Sequence, residues 1–241
     1  MYFWRTTVGP VDLAFTDRDG GAGPAPSGDL DLSIGTGRDP AAAAANLRLV
    51  VDDFAPGARV ADMSQVHGDT VDVVEDRRTS ARPEADALVT TQPDLVLVVR
   101  VADCVPVLLA DADSGVVAAV HAGRAGLGAG VAPTAVARMR DLGARDVTAW
   151  LGPRICGACY EVPGAMQTEV GALVPEAVST TTWGTPALDI GAGVRAQLEA
   201  VGVLVHDVGA CTRETETLYS HRRDGARAGR FAGLVRRRAD G

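Results

Sequence analysis

The chain has 241 residues, a formal net charge of −8, 46% hydrophobic residues and only 4% aromatic ones. That balance excludes a general nucleic-acid binder, which needs a basic face to displace counterions, and it predicts a core of Val, Leu and Ala. All 23 residues of the Lys/Arg class are arginine, which excludes a Schiff-base or P-loop lysine. Met1 to Pro10 shows no apolar run behind a basic stretch, and no window approaches the ~18 apolar residues of a membrane span. A soluble cytoplasmic protein is therefore expected. Four cysteines in a chain of this length do not read as a disulfide framework. Ligands, catalytic thiols or core fillers are the expected roles.

Val11 to Phe15 reads as a strand, and Thr16 to Ser27, rich in Gly, Pro and Asp, as a loop. Asp39 before Pro40 reads as an N-cap with proline at the first helical position, opening a helix to about Val51. Short apolar runs bounded by turn residues follow and predict strands over Val60–His67, Thr70–Glu75, Leu95–Val101, Val105–Asp111 and Val116–His121. Gly130–Leu142 reads as a helix with Gly143 at its C-cap. Val147–Leu151 is a strand, Pro163–Val174 and Gly191–Val201 helices, and Val203–Val208 a strand. Glu214–Ser220 reads as a short helix and Phe231–Val235 as a closing strand. No repeat or long linker divides the chain, so one α+β domain over residues 1–241 is expected.

Three of these segments place a metal-type ligand where an apolar run gives way to small residues. They are His67 before Gly68, Cys104 after Ala102-Asp103, and His121 before Ala122-Gly123. Two imidazoles and a thiolate suit zinc and leave a fourth position open; copper accepts the same donors. Each residue also has an ordinary reading, since a strand-end His is often structural and a Cys in an apolar run is a small core residue. The separations of 37 and 17 residues match no short zinc-finger pattern. Cys156-Gly157-Ala158-Cys159 has the spacing of a redox pair or half a zinc knuckle, but no second such pair exists, and a structural role is favoured. His206, inside an apolar strand, reads as a core or surface histidine. Ser220-His221-Arg222-Arg223-Asp224-Gly225, with Gly229-Arg230, is either an arginine clamp for an anion or a solvated basic turn.

Taken together, the ordered segments Gln65–Gly68, Ala85–Thr90, Ala102–Leu109, Val120–Gly123, Leu151–Ile155, Tyr160–Val162 and Ser220–Gly225 resemble the YfiH-like laccase-domain family. That family is also called the multicopper polyphenol oxidoreductase or peptidoglycan editing factor family. The resemblance runs from about Phe15 to Val235. It implies a layered α/β/β/α sandwich, and zinc held by His67, Cys104 and His121. It also implies phosphorolysis of adenosine, inosine, guanosine or methylthioadenosine, together with adenosine deaminase activity. The older laccase label implies copper-linked phenol oxidation. The chain departs from the family pattern at His121-Ala122-Gly123-Arg124-Ala125-Gly126, where a tryptophan is missing and the arginine is displaced by one. It departs again at His221, which stands in a tyrosine position, and at Asp31–Gly35.

On this reading the partners are a purine nucleoside and phosphate, with no nucleic acid and no membrane. Arg222, Arg223 or Arg230 would hold phosphate, and Asp103 is the candidate acid/base, although neighbours along a strand point to opposite faces. Three rivals stand beside it. A multicopper oxidase needs more ligands than four histidines supply. A cysteine hydrolase or amidase would use Cys104 and His121. A non-enzymatic partner of the cell-envelope machinery would not need its metal.

Overall fold

Apolar runs of six or seven residues, too short for buried helices, become strands covered on both faces. The structure is a computed structural model describing residues 1–22, 29–34, 39–75 and 82–239. Parts of the predicted loop Thr16–Ser27 and of the Asp31–Gly35 signature lie outside the described residues. The chain opens with β1 (Tyr2–Val8), β2 (Val11–Thr16), α1 (Pro40–Phe54), β3 (Arg59–Ala61), β4 (Val71–Val73) and β5 (Ala87–Thr90). It continues with β6 (Leu95–Val101), β7 (Val105–Asp111), β8 (Val116–Ala122), α2 (Arg124–Ala129), α3 (Val131–Asp141), β9 (Thr148–Leu151) and α4 (Gly164–Leu173). It ends with β10 (Val178–Thr180), β11 (Pro186–Leu188), α5 (Ile190–Ala200), β12 (Leu204–Asp207), α6 (His221–Asp224) and β13 (Phe231–Arg237).

One sheet has the order β1-β2-β13-β6-β3 and a second the order β12-β9-β7-β8-β5-β4; β10 and β11 form a hairpin. Apolar residues fill three layers. Val50 and Phe54 of α1 meet Val96, Val98 and Leu234 on the outer face of the first sheet. Leu13, Leu97 and Val99 meet Leu108, Val117 and Trp150 between the sheets. Val107, Leu109, Ala118 and Val120 meet Val131, Val136, Met139 and Val194 of the helices. The result is the expected α/β/β/α sandwich. Strand alternation matters for the site: Val117 and Ala119 of β8 face the inter-sheet layer, so His121, two residues on, emerges at its edge.

Asp39 caps α1 by accepting from the backbone N–H of Ala41 and Ala42 at 2.9 and 3.2 Å. Elsewhere the structure corrects the reading. The predicted strand Val60–His67 stops at Ala61. Beyond it the Gln65 amide, not backbone, pairs with β6: its Nε2 donates to the Arg100 carbonyl at 2.8 Å and its Oε1 accepts from Arg100 N–H at 2.9 Å. Glu214–Ser220 is not helical but a set of turns. Its β-branched Thr215 and Thr217 lower the helix propensity of the segment, and Ser220 instead caps α6 through Arg223 N–H. β1, β5, α2 and the β10–β11 hairpin were not foreseen. Among the described residues, no helix is long and apolar enough to cross a membrane.

Phe15 is fully buried between the sheets, and a Cβ added at Gly152 or Gly233 would fall 2.5 or 3.0 Å from its ring. Phe15→Ala is expected to cost about 3–5 kcal/mol in urea unfolding. A cost below about 1 kcal/mol would mean that this layer tolerates a void.

Candidate metal centre

The centre is organised by Asp86, a fully buried carboxylate just ahead of β5. Its Oδ1 accepts from His67 N–H at 3.0 Å and lies 2.8 Å from His121 Nδ1. Its Oδ2 accepts from Gly68 N–H at 2.6 Å and Val66 N–H at 3.3 Å. Three consecutive amides therefore wrap one carboxylate, which holds His67 at φ 63°, a left-handed conformation uncommon for a residue with a Cβ. With Nδ1 committed to Asp86, His121 turns Nε2 toward the other donors. Carboxylate support of this kind fixes the tautomer of a ligating histidine. Burial alone would raise the Asp86 pKa; hydrogen bonds from His121 and Gly68 outweigh it and hold the carboxyl below the usual range.

Cys104 sits in the turn between β6 and β7. The preceding Asp103 has φ 87°. Its carbonyl accepts from Ile155 N–H at 3.0 Å, and its carboxylate accepts from Thr212 Oγ1 and Arg222 N–H, each at 2.6 Å. Asp103 is thus occupied on both oxygens and positions Arg222.

The donor atoms of His67, Cys104 and His121 lie within 4.8 Å of one another. The Cys104 Sγ to His67 Nε2 distance is 3.9 Å, and the two imidazoles meet edge to face at 4.7 Å. Donors on one tetrahedral zinc lie about 3.5 Å apart, so the set fits such an ion with small adjustments. Gly123 explains the close packing: a Cβ there would stand 2.8 Å from His67 Cδ2 and 3.3 Å from Cys104 Sγ. Burial pushes the Cys104 thiol up, but hydrogen bonds from His121 and His67 bring it down to about 6. Burial lowers His121, yet Asp86 and Cys104 raise it to about 9. The donor set is therefore poised to present a thiolate, the form that binds metal.

These donors line a cavity of about 800 Å³, with Tyr160, His221, Arg222 and Arg230 among its walls. Arg222 lies 5.0 Å over the Tyr160 ring and donates to the Glu161 carbonyl at 3.0 Å. Arg230 lines the cavity while one guanidinium nitrogen reaches the carbonyls of Ala228 and Gly229. Its backbone N–H is held by Asp31 at 2.9 Å. Arg223 is turned elsewhere: its guanidinium is taken up by Asp224 and by the carbonyls of Thr212, Arg213, Thr215 and Leu218. It braces the loop and is removed from the phosphate candidates. Arg124 opens α2, and its charge reaches Tyr160. His206 is exposed and stacks on Trp150, away from the centre.

Sequence reasoning missed the roles of Asp86 and Arg100. Asp86 is a lone carboxylate in the apolar segment Ala85–Thr90, a signal that a buried charge must have partners. Arg100, buried within apolar β6, lines the cavity and pairs with Asp62 at 2.9 Å.

The fold and site together define an α/β/β/α sandwich with a His–Cys–His metal-type centre beneath a cavity containing arginines. Residues 12–238 match the family described as multi-copper polyphenol oxidoreductase laccase, and the chain belongs to that family. A relative named purine nucleoside phosphorylase from Streptomyces coelicolor is 49% identical, covering 96% of this chain and 97% of its own. A Neisseria meningitidis protein of the DUF152 family superposes with a TM-score of 0.86 at 30% identity, covering 99% of this chain and 100% of that one. Bacillus licheniformis YfiH superposes at 0.84 with 26% identity, over 94% and 92% of the two chains.

Asp86→Asn keeps the shape but not the charge, and is expected to weaken metal affinity about 10–100-fold in chelator competition. An unchanged affinity would remove Asp86 from the centre. Because the Asp86 pKa is depressed, its stabilisation is present above the ordinary carboxylate range and is lost as pH falls through and below about 4. The melting temperature of metal-stripped protein should decline over that window, and less steeply in Asp86→Asn. Equal slopes would show that Asp86 does not contribute to the acid limb.

Proposed function

We propose that the chain is a zinc-dependent purine nucleoside phosphorylase, acting on adenosine, inosine, guanosine or methylthioadenosine with phosphate, and that the same cavity deaminates adenosine. The observation that carries this reading is the three-donor set with one side open toward the arginine-containing cavity of about 800 Å³. That volume suits a nucleoside with an anion. The name of the Streptomyces coelicolor relative supports it.

When bound, zinc would supply a Lewis acid that polarises a substrate oxygen. The protein's own groups supply the rest. Arg222 and Arg230 offer planar donor arrays for phosphate. Tyr160 gives an aromatic wall for the base. Asp86 keeps the His121 Nδ1 proton in place, and Asp103 positions Arg222 rather than transferring protons. The family's multicopper name fits these residues less well. Beyond His67 and His121 the chain has only His206, which is exposed on the far strand, and His221.

Purified protein incubated with a nucleoside panel, with and without phosphate, tests the proposal. Base plus ribose 1-phosphate (5-methylthioribose 1-phosphate from methylthioadenosine) is expected only with phosphate, and inosine from adenosine in either case. His67→Ala and Cys104→Ala should lose at least about 100-fold in base release, a drop of about 3 kcal/mol in transition-state stabilisation. Undiminished release would sink the metal-dependent reading. Asp103→Asn should raise the KM for phosphate more than it lowers kcat.

A second reading is favoured by one observation: Cys104, His121 and Asp86 also form a Cys–His–Asp line with a thiol near pKa 6. A cysteine hydrolase of this kind would lose activity to iodoacetamide and keep it after metal removal.

A further inference from the structure

Cys156-Gly157-Ala158-Cys159 lacks a second such pair in the sequence, yet the fold supplies its complement. Cys156 heads a tight turn whose carbonyl accepts from Cys159 N–H and Tyr160 N–H, both at 3.0 Å. Cys211-Thr212-Arg213-Glu214 repeats that geometry: the Cys211 carbonyl accepts from Glu214 N–H at 3.1 Å and Thr215 N–H at 3.0 Å. The two turns are held side by side by a parallel bridge, with Arg154 N–H donating to Ala210 and Thr212 N–H donating to Arg154, both at 3.0 Å. Gly157 permits this seating, because a Cβ there would meet Ser179 Oγ at 2.6 Å and Asp189 Cβ at 2.8 Å.

The three thiols are free, and their sulfurs and a Glu214 oxygen all lie within 4.8 Å of one another. Cys159 is buried, Cys156 and Cys211 are half-buried, and Glu214 is exposed. Two knuckle-like turns facing each other, each bringing two donors, are the arrangement of closed structural zinc sites. Thiolates select a soft or borderline ion such as zinc over magnesium or calcium.

We propose that Cys156, Cys159, Cys211 and Glu214 form a second, structural zinc site that clips the Tyr160 segment to the segment carrying Thr212. The clip has a clear mechanical role. Ile155 and Tyr160, flanking the first turn, line the cavity, and Thr212, inside the second, holds Asp103 and through it Arg222. The ion would thus brace the cavity wall while remaining separate from the His67–Cys104–His121 donors.

Metal analysis of the reduced, zinc-loaded full chain tests this without reference to activity, so it stands or falls apart from the phosphorylase proposal. The wild type is expected to hold about two zinc ions per chain, and both Cys211→Ala and the His67→Ala/Cys104→Ala double variant about one. Cobalt loaded into that double variant should give strong thiolate-to-metal absorption, which adding Cys211→Ala abolishes. One zinc in the wild type together with none in the double variant would overturn the proposal. If Cys211→Ala fails to fold, the zinc count of the double variant still decides.

Discussion

One buried carboxylate holds the centre together. Burying Asp86 without partners would be prohibitive, and its four hydrogen-bond donors come from places that the chain must bring together. Three are consecutive amides of the loop after β3, and the fourth is the imidazole at the end of β8. Satisfying the charge therefore does two things at once. It freezes the His67 loop in a conformation that its own residues would not choose, and it selects the tautomer that leaves the other nitrogen of His121 free. Cys104 is set independently, by the strained turn at Asp103 between two strands of different sheets.

The cavity above is assembled from segments far apart in sequence. Arg223 spends its whole guanidinium on the loop that carries Arg222, and Asp103 accepts from the Arg222 amide. A single acid beside a ligand thus fastens the C-terminal wall to the inter-sheet turn. Arg124 keeps its charge near Tyr160, one of the residues of this wall.

The layered core was legible because strands buried on both faces are written as unbroken apolar runs, as in Leu95–Val101 and Val105–Asp111. His67, Cys104 and His121 were legible as donor types at the ends of such runs, and their convergence was implied by the resemblance. The loop at His67 was not. Its geometry comes from Asp86 and Gln65, side chains doing the work of backbone partners, which periodicity does not register. Nor was the fate of the Arg222-Arg223 pair. Adjacent residues in a four-residue helix diverge, one facing the cavity and the other a ring of carbonyls. The Cys156–Cys159 turn gave half a signal, and its complement lies 52 residues beyond Cys159, outside any local pattern.

The left-handed backbone at His67 and Asp103 is maintained by hydrogen bonds within the protein. Protein groups therefore aim the donors, whichever ion they would take. Affinity for such donors rises from zinc to copper, so geometry and the supply of ions together decide which one a set of this kind would take.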